Sequence, residues 1–330
     1  MHDGIRDPPG PGAGSLVVPA AQLQLERTLA NGQCFRWRRD PARRSAPAGE
    51  EHWQGIAGGR VVWLSRPAAI AGGGDRLDYR IQPAGAPAAD AAWLRAYLRL
   101  DVDLAAIYAD WATRDAYLGT LTARLAGLRL IEQDPEECLL SFTCSKANAI
   151  PRIQRAIAEL SRAWGPPIPG AGPPMYYRFP AAAVIAGLDP QEVAARTGLE
   201  WRAASLVEVA AQVAAQPAGW LADLRTANYT TAHAELTRLR GVGAKIADCV
   251  CAFALGKDQA VPVDTHVFQV TCDRYLPDLR GKSLTAALYA RIAAFWRQHF
   301  GPYAGWAQQY LFYDHLLAAR RSGRSPAGLE

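Results

Sequence analysis

The chain has 330 residues, half of them apolar, with a formal net charge of +5 and a pI near 8.9. That length supports a large buried core and two or three packed units, and the charge permits a nucleic-acid partner without requiring one. No apolar run approaches a membrane span, the first residues show no secretory pattern, and the cysteines at 34, 138, 144, 249, 251 and 272 lack paired metal-ligand spacing. Together these features point to free thiols in a reducing compartment and exclude a disulfide scaffold, a helical membrane protein and a cysteine-held cluster.

In chain order, residues 1–14 are rich in Gly, Pro and Asp and predict a disordered tail. Four short segments then read as strands, Gln33–Arg38, His52–Ile56, Arg60–Leu64 and Leu77–Ile81, separated by Gly-Gly or Pro-rich turns. Asn31-Gly32 is a turn signal ahead of the first. Ala91–Leu98 predicts a helix leading out of an antiparallel sheet. From Leu104 onward the pattern is helical. Asp134-Pro135 with Glu137 is a helix-start signal, and Leu139–Thr143 continues it into the core. Ser145–Ile153 predicts a loop, as does the Pro/Gly stretch 166–174. Thr197–Ala204 turns into a further helix, and Gly301-Pro302 opens the last one, which buries aromatics up to Phe312. Arg320, Arg321 and Arg324 mark a basic tail. The expected class is α+β, an N-terminal antiparallel β-sheet domain over 15–128 followed by a mostly helical domain over 129–320, with a basic tail over 321–330.

One stretch invites a chemical reading. Helix Ala232–Arg238 runs into Leu239, and Gly241 and Gly243 follow one residue apart, which suits a tight hairpin. Lys245–Leu255 then reads as a buried helix. Helix, glycine hairpin and helix present free N–H groups at a helix N-terminus, a seat for a phosphate. A lysine there is disfavoured as a cation by the helix dipole and apolar neighbours, and a neutral amine is a nucleophile. Its bland alternative is a surface lysine at a helix start. Asp264, after extended Val261-Pro262-Val263 and before an apolar helix, occupies an N-cap position. Most such residues only cap, but a carboxylate beside an amine can also serve chemistry at a sugar carbon.

Gly241-Val242-Gly243-x-Lys245 followed by Val261-Pro262-Val263-Asp264 resembles the helix-hairpin-helix DNA glycosylases, and more narrowly the 8-oxoguanine DNA glycosylase/AP lyase family. Gly32–Trp37, Gln133–Phe142, Gly241–Cys251, Val261–His266 and Gly301–Gln308 carry the likeness across residues 16 to 318. The resemblance implies a bifunctional enzyme of base excision repair, acting inside the cell as a monomer on double-stranded DNA containing oxidised purine. It implies that the lesion is flipped from the duplex. Lys245 would attack C1′ and form a Schiff base; Asp264 would stabilise the charge developing at the sugar. The carbonyl of Gly32 would accept the N7–H that 8-oxoguanine has and guanine lacks. Gln308 would read the Watson–Crick edge, Phe312 and Cys249 would sandwich the purine, and Gly241, Gly243 and His266 would meet DNA phosphate. Arg152 and Arg202 match two arginines that recognise the orphaned cytosine, and Trp201 an aromatic wedge. The family's asparagine position holds Ala147, leaving either Asn148 as a substitute or a relaxed opposite-base preference. Arg240 stands where the family usually has proline and is expected to loosen or recharge the hairpin. No cofactor and no iron–sulfur cluster are implied, but the carbonyls of Thr237, Leu239 and Val242 would suit a structural monovalent cation. Two rivals remain: an alkylated-base glycosylase using the aspartate and water alone, and a non-catalytic helix-hairpin-helix DNA-binding protein.

Overall fold

The computed structural model describes residues 10–41, 50–67, 75–172 and 175–321. Five strands, β1 (Ala13–Val17), β2 (Trp37–Arg39), β3 (Glu51–Ala57), β4 (Arg60–Arg66) and β5 (Arg76–Gln82), form one antiparallel sheet in the order β1-β5-β4-β3-β2. Gly58 and Gly59, at φ of +56° and +70°, join β3 to β4 and set Ala57 opposite Arg60. Two left-handed residues make the hairpin turn whose twist matches its strands. Burial alternates along β5, as expected for a sheet covered on one face.

Two expectations shift here. The edge strand begins at Ala13, inside the expected tail, because Ala13 and Gly14 pair with Arg80 and Tyr79; residues 1–9 lie outside the described residues. The expected strand from Gln33 begins only at Trp37, because Gln33 is turned inward and spends its side chain on other loops.

The helices are α1 (Leu25–Leu29), α2 (Pro87–Tyr97), α3 (Leu104–Arg114), α4 (Ala116–Arg124), α5 (Pro135–Thr143), α6 (Ile150–Trp164), α7 (Ala182–Ala186), α8 (Pro190–Thr197) and α9 (Arg202–Ala214). They continue with α10 (Trp220–Asp223), α11 (Tyr229–Thr237), α12 (Ala244–Phe253), α13 (Thr265–Arg274), α14 (Ala286–Phe300) and α15 (Ala304–Arg321). Arg320 and Arg321, read as tail, end α15, and residues 322–330 lie outside the described residues. α6 starts at Ile150, within the expected loop. Pro151 fits its first turn, where no helical N–H is needed.

Two hydrophobic cores result. One lies between the sheet and α2 and contains Leu64, Leu77, Ile81, Leu94 and Leu98. The other fills the helical region and takes in Leu104, Trp111, Leu118 and Leu121. The cores therefore divide near residue 100, and α3 and α4 pack with the helical region rather than with the sheet. Polar groups stitch the two together. The buried Arg129 guanidinium donates to the carbonyls of Leu98 at 3.0 Å, Gln22 at 2.7 Å and Val102 at 2.5 Å, and to that of Arg99. Arg99 forks onto Asp258 at 2.6 and 3.2 Å, and Asp258 also accepts from Trp306 Nε1 at 2.7 Å. A partly buried ion pair of this kind is tolerated better when further hydrogen bonds meet it, as that of Trp306 does here.

Candidate active site

The two predicted chemical groups come from consecutive elements. Asp264 is the N-cap of α13 and accepts the Val267 N–H at 2.8 Å, so the capping half of its expected role is met in full. Lys245 sits in the first turn of α12, half-buried, with its amine 3.4 Å from Ser145 Oγ and 5.0 Å from the Phe142 ring centroid. Cys249, one turn on, is buried. Burial pushes its thiol up to about 12; Lys245 pulls it down, and Asp264 and Asp248 push it further up. The thiol thus feels both the lysine and the aspartate.

The wall opposite is the 31–36 loop. Gly32 has φ +87°, a conformation that favours glycine, and a Cβ there would lie 3.1 Å from Ile150 Cδ1 and 3.6 Å from the Phe312 ring. The loop is pinned by glutamines far away in sequence. Gln33 Nε2 donates to the carbonyls of Thr28 at 2.8 Å and Arg129 at 2.7 Å, and its Oε1 accepts the Ile131 N–H at 2.9 Å. Gln133 Nε2 donates to the Gln33 carbonyl at 2.7 Å, and Gln309 Nε2 to the Asn31 carbonyl at 3.0 Å. Both carbonyls flanking that of Gly32 are therefore held. The sequence motifs missed these braces; the adjacency of Gln308 and Gln309, pointing about 100° apart around a helix, was the one available hint.

Gln308 itself is 3% exposed, and its Oε1 has no hydrogen-bond partner among the described residues. A buried carbonyl oxygen without a donor costs roughly 1–3 kcal/mol, a cost a ligand N–H would remove. Phe312, four residues on and on the same helix face, meets His266 edge-on at 5.6 Å, and His266 lies 5.4 Å from His315. Phe312 and Cys249, expected to sandwich the purine, are both buried, and the Phe312 ring lies close to Gly32.

The hairpin differs from expectation in two ways. Gly241 has φ +92°, whereas Gly243 is extended at φ −87° and ψ 173°, a conformation open to any residue, and a Cβ on it would meet nothing. Its bareness leaves the α12 N-terminus uncovered, with no side-chain cap. Of the two effects expected of Arg240, recharging fits its exposed guanidinium, 3.2 Å from Glu208, whereas loosening does not. Its N–H donates to Gln212 Oε1 at 2.8 Å and its carbonyl accepts from Gln212 Nε2 at 2.9 Å, a clamp that proline could not complete. The Leu239 carbonyl accepts the Val242 N–H at 3.0 Å.

The residues expected to face the opposite base lie on the loop between α5 and α6, the first turn of α6 and the start of α9. Trp201 is 59% exposed at the start of α9, with the Arg202 guanidinium 4.5 Å from its ring. Arg202 is buried and donates to the carbonyls of Lys146, at 2.5 Å, and Ala147. Lys146 donates to Ser205 Oγ at 2.6 Å, and Asn148 Nδ2 to the Cys144 carbonyl at 3.2 Å. Ala147 sits at φ +42°, an uncommon conformation for alanine that these contacts enforce. Of the two arginines expected to read cytosine, Arg152, exposed on the first turn of α6, is the one whose guanidinium has no hydrogen bond or ion pair among the described residues.

Residues 15–139 match the family model of the 8-oxoguanine DNA glycosylase N-terminal domain. The chain is 33% identical to the N-glycosylase/DNA lyase OGG1 of Arabidopsis thaliana over 309 residues, 92% of this chain and 80% of that protein. Among solved structures it resembles MBOgg1 in complex with a low-affinity DNA ligand, at TM-score 0.78 and 26% identity, covering 96% of this chain and 98% of that one. It also resembles the Clostridium acetobutylicum 8-oxoguanine glycosylase/lyase bound to double-stranded DNA with cytosine opposite 8-oxoguanine, at TM-score 0.74 and 27% identity, covering 92% and 93%. The chain thus belongs to the 8-oxoguanine DNA glycosylase family of N-glycosylase/DNA lyases.

Proposed function

We propose that this protein excises 8-oxoguanine from duplex DNA in base excision repair and then cleaves the strand as a lyase. The observation that carries the reading is the placing of Lys245 in the first turn of α12 and Asp264 at the cap of α13, two charges that both act on the buried Cys249 thiol. The Lys245 amine attacks C1′; the C1′–N9 bond breaks and its electron pair leaves with the base, which takes up a proton. Ring opening gives a Schiff base. Loss of a C2′ proton then expels the 3′ phosphate. Asp264 offsets the positive charge that gathers at the sugar. Gly32 and Gln308 read the base, with Phe312 and Cys249 on its faces. The bare α12 N-terminus at Gly241 and Gly243, with His266, receives phosphate.

Cytosine is the proposed opposite base, with Arg152 its reader and Trp201 filling the gap. The test is a set of end-labelled duplexes with 8-oxoguanine opposite C, A, G or T, incubated with protein and borohydride. A trapped adduct is expected, strongest opposite C, and lost in Lys245→Gln while binding to an uncleavable abasic analogue persists. Base release without any adduct would replace the amine by water as the nucleophile and favour the alkylated-base rival.

The carbonyls of Thr237, Leu239 and Val242 are oxygen donors of the kind a hard cation takes. The Leu239 oxygen, although it accepts from Val242, retains a second lone pair. We propose a monovalent cation there that supports phosphate binding. Exchanging sodium and potassium for a bulky organic cation at constant ionic strength should weaken duplex binding several-fold; unchanged binding would remove the site.

A further inference from the structure

Asp248 lies on α12 within one turn of Lys245 and is completely buried on a helix whose following residues are all buried and apolar. A carboxyl in such a place costs stability unless its lone pairs are filled. Its two oxygens accept from the hydroxyls of Tyr229 at 2.7 Å and Tyr289 at 2.5 Å, and the His233 ring stands 3.9 Å away. Burial pushes the carboxyl above its usual range and raises both phenols as well. Neither Asp248 nor Tyr289 has a role in the chemistry described above.

The other contacts of Tyr289 give the pair a purpose. Its oxygen accepts the Val263 N–H at 3.3 Å and lies 3.3 Å from the Val261 carbonyl. Val261–Val263 is the extended segment that delivers Asp264. One phenol on α14 thus joins the helix that carries Lys245 to the segment that carries Asp264. A phenol has one proton. With Asp248 ionised it goes to the carboxylate; with Asp248 protonated, the carboxyl donates to the phenol and the phenol to the Val261 carbonyl. The bridge holds in both arrangements.

We propose that Tyr289, anchored by Asp248, is a positioning residue that fixes Asp264 in register with Lys245. The proposal rests on the reading that Lys245 and Asp264 carry the reaction. A shift of about 1 Å at a reacting group costs up to about 100-fold, so a bridge between these two elements has catalytic leverage without touching DNA.

The test uses Tyr289→Phe and Asp248→Asn in the full chain, read by single-turnover base release, the rate of borohydride trapping, affinity for a duplex bearing a tetrahydrofuran abasic analogue, and the thermal midpoint. In Tyr289→Phe both rates should fall about 10-fold, with analogue affinity unchanged and the midpoint lowered by about 5 °C. Asp248→Asn, which keeps one acceptor oxygen for the phenol, should show a smaller loss in the same direction. In an Asp264→Asn background Tyr289→Phe should bring no further loss of rate, because the residue it positions is already disabled. An undiminished rate, a full 10-fold loss that persists beside Asp264→Asn, or a loss that tracks analogue affinity overturns the proposal. Absence of an adduct in the unsubstituted protein overturns the underlying lysine chemistry, and that outcome is read without any change at position 289.

Discussion

The two sides of the candidate active site are built differently. On the lesion side, Gly32 lies between carbonyls fixed by Gln133 and Gln309, remote in sequence, and Asp264 is held by its own cap and by the Tyr289 contact to Val263. On the opposite-base side, a short loop between α5 and α6 is also braced from a distance, by Arg202 and Ser205 of α9, and the reader left over is the exposed Arg152. Rigid, buried bracing gives geometric discrimination, because a misplaced hydrogen bond cannot relax. An exposed arginine on a helix end gives attraction with little geometry. The contrast predicts strict lesion choice and soft opposite-base choice in the same molecule.

The largest effect that would break this contrast is at Asp264. Asn caps a helix as well as Asp does, so Asp264→Asn should leave the thermal midpoint nearly unchanged while lowering base release by about 100-fold or more. Asp264→Ala should lose the same activity and, in addition, about 1 kcal/mol of stability with the cap. Chemical denaturation alongside single-turnover assays separates the two. If Asp264→Asn keeps its activity, the carboxylate is a cap alone and the lesion side loses its claim to tight geometry.

Gly32→Ala comes next. The left-handed φ and a Cβ 3.1 Å from Ile150 force the loop to move, against braces that resist movement. The expected result is a fall of about 10-fold in the 8-oxoguanine:guanine excision ratio, as the single hydrogen bond that separates the bases lengthens. The ratio is measured on matched duplexes under single-turnover conditions. Gln309→Leu, which frees the Asn31 carbonyl, should move the ratio the same way by less, and an unmoved ratio in both would place base discrimination elsewhere.

How far these features were legible in the sequence follows the same divide. The Gly58-Gly59 hairpin and the Asp134 and Asp264 caps are local patterns, and the structure has them where the pattern put them. Lys245 and Asp264 were legible because each sits at the head of a helix with a recognisable start. The braces were not. Gln33, Gln133 and Gln309 are polar residues in ordinary positions, and their partners lie about 100 residues or more away, beyond the reach of any periodicity. Arg202 shows the converse. Its match to a cytosine-reading arginine was legible, whereas its guanidinium is spent on the Lys146 and Ala147 carbonyls, a contact made by the fold of the loop and not by its composition.

That use of Arg202 sets the smallest prediction. If Arg152 is the free reader, Arg152→Ala should flatten the preference for cytosine over the other opposite bases by about 3- to 10-fold, with stability unchanged because the side chain is exposed. Asn148→Ala should change the preference less, since its amide is used on the Cys144 carbonyl. Arg202→Ala should instead cost about 2 kcal/mol of stability, because two partly buried carbonyls lose their charged donor and Ala147 loses the contact that holds its φ. Denaturant midpoints and excision ratios opposite C, A, G and T distinguish these outcomes. An Arg202→Ala protein with normal stability but a lost cytosine preference would show that the guanidinium leaves its carbonyls when DNA binds. The opposite-base side would then be as geometrically specified as the lesion side, and the softness inferred for it would belong to the free protein alone.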